Sequence, residues 1–327
     1  MRILVTGAEG FVGTHAVRRL VAGGHDVRCM TIDGRAVLGL ESLRADVRDH
    51  HVVLRHVEAV APDAVLHLAG IAFVPAARKD PRLAFDVNAG GTLNVLAACR
   101  DAAPGARVVC ISTAEVYGRV DDPAAMPLAE DRPIAPVTMY GASKAAAEHV
   151  ARAFAGEGVD AVVLRPFNHV GPGQDEAFVI SSFAHQIARI ERDPSAEPVL
   201  RHGNLDAVRD FLDVRDIVAA YERALTAPRG TLAPGAAYNL ASGEGVPISR
   251  LVDLLVGLAR REITHEVDPD RLRKVDVPVF VGDATRFREA TGWRPEMALE
   301  RTLADALEEA RGSNESRGEK RVQGRGR

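Results

Sequence analysis

Tyr140 and Lys144 stand four residues apart, a spacing that sets a phenol and an ammonium on one helix face, one turn from each other. A phenol ordinarily titrates near about 10 and is a poor proton donor or acceptor at neutral pH. A neighbouring ammonium favours the phenolate and lowers that value. Thr113 closes the apolar run Val108 to Ser112 and offers a hydroxyl to a substrate oxygen. Together the three could deliver a proton to a ketone oxygen while a hydride reaches its carbon. A tyrosine and a lysine one turn apart also arise on ordinary helix surfaces, so the chemistry needs a partner elsewhere in the chain.

That partner is the stretch Met1 to Gly13, MRILVTGAEGFVG. Ile3, Leu4 and Val5 read as a buried strand, and Gly7, Gly10 and Gly13 follow with the spacing G-x-x-G-x-x-G. Phe11, Val12, Ala16, Val17 and Leu20 then form a helical apolar stripe. Strand, glycine turn and helix start are the context a dinucleotide fingerprint requires, with the pyrophosphate facing free N–H groups at the helix N-terminus. Residues 25–32 read as the second strand. The position at its end where an acidic residue would hold an adenine ribose is Thr31, with Asp33 two residues late and Arg35 beyond it. A missing carboxylate removes repulsion against a 2′-phosphate, and Arg35 could pair with one. NADPH is therefore expected ahead of NADH, which stays open.

Strands are expected at 64–69, 108–112 and 161–165, alternating with helices, including a long one beginning at Asn88 and another opening at Tyr140. Such alternation predicts a parallel sheet wrapped by helices. His67, inside a strand, reads as a hydrogen-bonded core residue. Residues 121–136, rich in prolines and charges, read as a surface loop arching over the site. The glycine and proline run after Arg165 marks a change of organisation: 1–165 for the cofactor, 166–311 for substrate with some elements returning to the sheet, and 312–327 as a disordered tail.

The 327 residues are 46% hydrophobic and 26% charged, which suits a globular protein with a sizeable core. A net charge of -4 and few aromatics give no sign of a nucleic-acid or anionic-membrane partner. Cys29, Cys99 and Cys110 have no metal-ligand spacing and read as buried thiols in a reducing compartment, and no metal site is expected. No segment is long and apolar enough to span a bilayer, and the N-terminus reads as a core strand rather than a signal sequence, so a cytoplasmic location is expected.

The fingerprint, Ser112-Thr113, Tyr140-x-x-x-Lys144 and Asn88 together resemble the extended short-chain dehydrogenase/reductases that act on nucleotide sugars, from Met1 to about Ala310. The resemblance implies an α/β protein, a doubly wound parallel (Rossmann) sheet with a smaller C-terminal substrate-binding domain. It implies Thr113, Tyr140 and Lys144 as the catalytic group, Lys144 also binding the nicotinamide ribose. It implies cofactor contacts at Gly7, Gly10, Phe11, Val12, Gly13, Thr31, Arg35, Asp46, Val47, Leu68, Ala69, Asn88, Tyr140, Lys144 and Pro166. Substrate contacts would fall at Thr113, Glu115, Asn168, Val179, Arg209 and Arg273, the arginines gripping a diphosphate. Pairing through the helices at Asn88 and Tyr140 into a homodimer is also implied.

Within that family, residues 165–174, 209–221 and 268–283 resemble the reductases of GDP-4-keto-6-deoxy-mannose. Related dehydratases carry Thr-Asp-Glu where this chain has Thr113-Ala114-Glu115, and alanine cannot protonate a leaving hydroxyl. Ala77 stands where many relatives carry a serine near the sugar, which leaves the hexose open. The expected reaction is reduction of the 4-keto group of an NDP-4-keto-6-deoxyhexose, GDP-4-keto-6-deoxy-D-mannose foremost. A dTDP-4-keto-6-deoxyhexose ketoreductase, a sugar epimerase and a non-catalytic dinucleotide-sensing regulator are the alternatives.

Overall fold

The computed structural model describes residues 1–120, 122–272 and 277–323, with 313–323 as backbone alone. The apolar run at the N-terminus forms β1 (Arg2–Thr6), whose Ile3, Leu4 and Val5 are fully buried. The chain turns at Gly7 into α1 (Phe11–Ala22), which buries Ala16, Val17 and Leu20 on the sheet. Then follow β2 (Asp26–Thr31), β3 (Ser42–Arg44), α2 (His50–Val60) and β4 (Ala64–His67). The Asp49 side chain caps α2 by accepting from Val52 N–H. The short edge strand β3 was not expected: three residues, none buried, give no periodic signal.

Two short helices, α3 (Val74–Lys79) and α4 (Pro81–Phe85), lead into a π-helical turn at Asp86–Gly90 before α5 (Gly91–Ala102). The helix expected from Asn88 thus begins with an irregular turn, held by side-chain bonds described below. Next come β5 (Arg107–Ile111), α6 (Met139–Gly156) and β6 (Asp160–Pro166); Thr138 caps α6 by accepting from Gly141 N–H. The stretch expected as a surface loop is partly buried instead: Leu128 is 1% exposed and its backbone bonds to Val281 and Asp283.

Beyond β6 lie β7 (Asn168–Val170), α7 (Val179–Arg192), β8 (Val199–His202), β9 (Val208–Asp213), α8 (Val214–Thr226) and β10 (Ala237–Leu240). β11 (Gly245–Pro247), α9 (Ile248–Gly257), β12 (Thr264–Val267), β13 (Val279–Phe280), α10 (Thr285–Thr291) and α11 (Leu299–Gln323) complete the described chain. α11 carries the backbone into the stretch expected as an unstructured tail; Glu315, Arg317, Glu319, Lys320 and Arg321 there are good helix formers and no proline intervenes.

The main sheet has the order β10-β6-β5-β4-β1-β2-β3, and every pair in it is parallel. Strand order reverses between β1 and β4, so a crevice opens at their C-terminal ends, where ligands bind in open α/β sheets. Strands β7, β9, β11 and β13 form a second small sheet, and β8 pairs with β12. A separate apolar core joins α7, α9 and α11 through Phe183, Ile187, Leu251, Leu255, Leu303 and Leu307. The second half is not independent of the first: β10 joins the main sheet beside β6, and Ile217, Val218 and Tyr221 of α8 share a core with Ile3 and Val5. None of the helices among the described residues is long and apolar enough to cross a membrane.

Candidate active site

The crevice is built first of backbone. Gly7 has φ +66°, and a Cβ there would lie 2.7 Å from Ala69 N; one at Gly13 would lie 2.3 Å from Gly7 O. Glycine is what lets β1, the turn and α1 pack this closely. No side chain caps α1, so the N–H groups of Phe11, Val12 and Gly13 are left for an external acceptor. The ends of neighbouring strands bring Leu68 and Ala69 against this turn, with Ala69 N–H donating to Thr6 Oγ1 at 3.2 Å. Next to the same turn, a carboxylate oxygen of Glu9 is shielded from solvent and lacks a hydrogen-bond partner. A cradle of free donors and one unanswered acceptor fit a dinucleotide.

At the end of β2, beside that cradle, Thr31 Oγ1 accepts from Gly34 N–H at 3.0 Å, and Arg35 pairs with Asp33. Asp46 is held by Arg48, while Val47 packs on Gly91 and its carbonyl accepts from Asn94. Asp46 and Val47 therefore lie near the C-terminal ends of β2 and β3, at one end of the crevice. Pro166 closes β6 at the other end, paired with Leu240.

Thr113, Tyr140 and Lys144 lie between these ends. Asn88, buried in the π-helical turn, accepts from Ile71 N–H at 2.8 Å. Its Nδ2 donates to Ile71 O and, at 2.9 Å, to Ser143 Oγ, which in turn donates to Tyr140 O. The irregular turn brings the Asn88 side chain within reach of both segments. Lys144 Nζ donates to Ile111 O at 2.8 Å, and Gly70 lies against both Asn88 Oδ1 and Lys144 Nζ. Thr113 hydrogen-bonds the Tyr140 phenol, and its hydroxyl also accepts from Glu115 N–H at 3.2 Å. Thr113, Tyr140 and Lys144 are each 8% exposed.

Burial dominates the electrostatics. It pushes the Tyr140 phenol up to about 12; the hydrogen bond from Thr113 opposes this and the charge of Glu115 adds to it. The expected lowering of the phenol by Lys144 is thus not what the structure gives. Burial takes the ammonium itself down to about 8, against the pull of Cys110 and Glu148, and Nζ bonds to a backbone carbonyl. His67 is the core residue expected: it shares a 2.8 Å hydrogen bond with Thr6 Oγ1, and burial lowers it to about 3.

The residues expected to meet a substrate spread over the second half. Asn168 is exposed on β7 and pairs in register with Phe211 of β9, the strand that also carries Arg209. Arg209 NH1 donates to Val208 O. Val179 opens α7 and is 41% exposed, next to Phe178, whose ring meets Phe73 edge-on at 5.6 Å. Arg273 lies outside the described residues.

Several residues of the site were not singled out from sequence. His169 stacks parallel to Phe11, ring centroids 6.3 Å apart, which places an imidazole over the fingerprint helix. Ser143 joins Asn88 to Tyr140. Behind the site, Ser112 Oγ donates to Glu148, Glu148 pairs with Arg165, and Arg165 bonds Tyr117 OH, which donates to Asn239. His169 lies within residues 165–174 and Ser143 between Tyr140 and Lys144; Glu148 follows Lys144 by four residues, a spacing that puts it on the same helix face.

The fold and the grouping of Thr113, Tyr140 and Lys144 beside a dinucleotide cradle define a short-chain dehydrogenase/reductase of the extended kind. The family model described as GDP-mannose 4,6 dehydratase matches residues 4–306, and the chain belongs to that family. It is 37% identical over 307 residues to the GDP-6-deoxy-D-mannose reductase of Pseudomonas aeruginosa, covering 94% of this chain and 96% of the relative. It is 31% identical over 322 residues to a UDP-glucose 4-epimerase of Mycolicibacterium smegmatis, covering 94% and 98%. Among solved structures, that of RMD from Pseudomonas aeruginosa complexed with NADPH superposes with a TM-score of 0.84 at 35% identity, covering 95% of this chain and 98% of that one. A Thermus thermophilus UDP-glucose 4-epimerase complexed with NAD gives 0.83 at 31% identity, covering 96% and 100%.

Proposed function

We propose that the protein is an NAD(P)H-dependent ketoreductase that reduces the 4-keto group of GDP-4-keto-6-deoxy-D-mannose to give GDP-D-rhamnose. The observation that carries the reading is the buried contact of Thr113 with Tyr140, next to Ala114, where a dehydratase needs an acid. The extensive likeness to a GDP-6-deoxy-D-mannose reductase supports the same substrate. A reduced nicotinamide supplies the hydride when bound. Thr113 and Tyr140 orient the ketone oxygen, and Tyr140 gives it a proton. Lys144 holds positive charge beneath the site, and Asn88 and Ser143 fix the helix turn that carries Tyr140. Phe11, Val12 and Gly13 face the pyrophosphate, with Leu68, Ala69 and Pro166 lining the cleft. NADPH is preferred and NADH is accepted, in keeping with Thr31 at the end of β2.

Residues 166–311 take the substrate through Asn168, Val179 and Arg209, with Glu115 contributed by the other half, and residues 1–165 take the cofactor; Arg273, outside the described residues, is assigned to the diphosphate from its place in the sequence. Two copies pair through α5 and α6, whose small alanine side chains permit close approach, in the cytoplasm, where the buried free cysteines stay reduced. Tyrosine and lysine also serve epimerases, and UDP-glucose 4-epimerases are among the relatives, so UDP-glucose is the control. Purified protein with NADPH and GDP-4-keto-6-deoxy-D-mannose should consume the reduced cofactor. No turnover there, with dTDP-4-keto-6-deoxyglucose reduced or UDP-glucose epimerised, would reassign it. Sedimentation showing monomer alone at micromolar concentration would remove the dimer.

A further inference from the structure

Glu9 stands in the fingerprint between Gly7 and Gly10, where a small residue would satisfy the turn. Its Oε1 accepts from Ile32 N–H at 3.1 Å, which ties the turn to the residue directly after β2. Its Oε2 is shielded from solvent and has no hydrogen-bond partner. An ionised oxygen out of water with no donor is costly, and such an atom is answered when a donor arrives. Of the neighbouring groups, the Thr31 hydroxyl is engaged with Gly34 N–H and Asp33 with Arg35, whose side chain is 77% exposed, while the free Cys29 thiol, pushed up by burial, lies close enough for the charge of Glu9 to push it further. Ile32, 61% exposed, leaves an apolar surface beside the same carboxylate.

We infer that Glu9 is a cofactor-specificity residue, supplying from the glycine turn the carboxylate that the end of β2 lacks. Its Oε2 accepts from a hydroxyl of the adenine-side ribose, and its charge opposes a phosphate on that ribose. Glu9 therefore keeps NADH competitive and limits the margin by which NADPH is favoured. The inference rests on the cradle being a dinucleotide site.

Isothermal titration of the wild type, Glu9→Gln and Glu9→Ala with NADPH and with NADH tests it. Glu9→Gln keeps an acceptor for Ile32 N–H, so an unchanged unfolding temperature separates charge from folding. Both substitutions should shift the ratio of the two dissociation constants toward NADPH by about tenfold, the scale of a charged hydrogen bond. Adenosine 2′,5′-bisphosphate and 5′-ADP, which isolate the adenine side, should show the same shift. Both dinucleotides binding with a ratio within about twofold of the wild type would overturn the role of Glu9 while leaving the site intact. Failure of wild-type protein to bind either dinucleotide would overturn the cradle reading and Glu9 with it.

Discussion

Arg165 grips Glu148 with two arms, Nε to Oε1 at 2.9 Å and NH2 to Oε2 at 2.7 Å, and both side chains are 3% exposed. The pair joins α6 to β6 and, through Ser112 and Tyr117, holds the segment after β5 that carries Thr113.

Breaking it from one side leaves a buried guanidinium without its partner. Glu148→Ala should lower unfolding stability by about 3–5 kcal/mol, read from urea denaturation. The apolar double change Glu148→Leu with Arg165→Met should recover much of that loss. A Glu148→Ala loss under about 1 kcal/mol would mean that the pair is reached by water.

Tyr140→Phe should leave dinucleotide binding nearly intact and lower turnover by roughly two to four orders of magnitude, the range for a positioned acid. Turnover within about threefold of the parent would strip Tyr140 of its role.

The depressed ammonium of Lys144 makes a prediction about pH. Its folded value of about 8 lies below that of a free lysine, so between about 8 and 10.5 the unfolded chain binds more protons. Stability from this group is therefore lowest below about pH 8 and recovers as pH rises toward that of the free side chain. The full difference is worth roughly 3 kcal/mol. Relative to Lys144→Met, the wild type should gain stability in urea unfolding between pH 7 and pH 10. A difference between the two that stays flat over that range would show that Lys144 is not desolvated.

Water elimination from a sugar nucleotide needs a proton delivered to the departing hydroxyl. Ala114 has no ionisable group, and Glu115 alone cannot be acid and base at once. GDP-D-mannose should stay unchanged with the protein and NADP⁺, as judged by chromatography. Ala114→Asp should give at most a trace of 4-keto-6-deoxy product, since placement of an acid depends on the groups that support it.

The parts of the site legible in the sequence were those written as short spacings. Gly7, Gly10 and Gly13 announced the cradle, and Tyr140 and Lys144 a shared helix face. The alternation of apolar runs with helical stripes gave the parallel sheet, because strands buried on both faces read as continuous apolar segments. What stayed hidden depends on distant elements meeting. The stacking of His169 on Phe11 needs β7 folded against α1. The open oxygen of Glu9 is visible once Ile32 has taken the other one. The value of the Tyr140 phenol could not be read from its spacing to Lys144, because it is set by burial, which spacing does not report, with Thr113 and Glu115 as the neighbours that act on it. The π-helical turn at Asn88 looks in sequence like ordinary helix, and the bonds of its side chain to two other segments exist only in the fold.

The return of α8 and β10 to the main sheet has a consequence for attempts to cut the protein in two. A fragment ending near residue 165 would lack the strand that covers the outer edge of β6 and the helix that packs on α1, β4 and β5. It would present an open strand edge next to a bare apolar face, the combination that seeds aggregation. That N-terminal fragment should precipitate when expressed alone. It should become soluble when residues 208–240 are supplied, even as a separate chain.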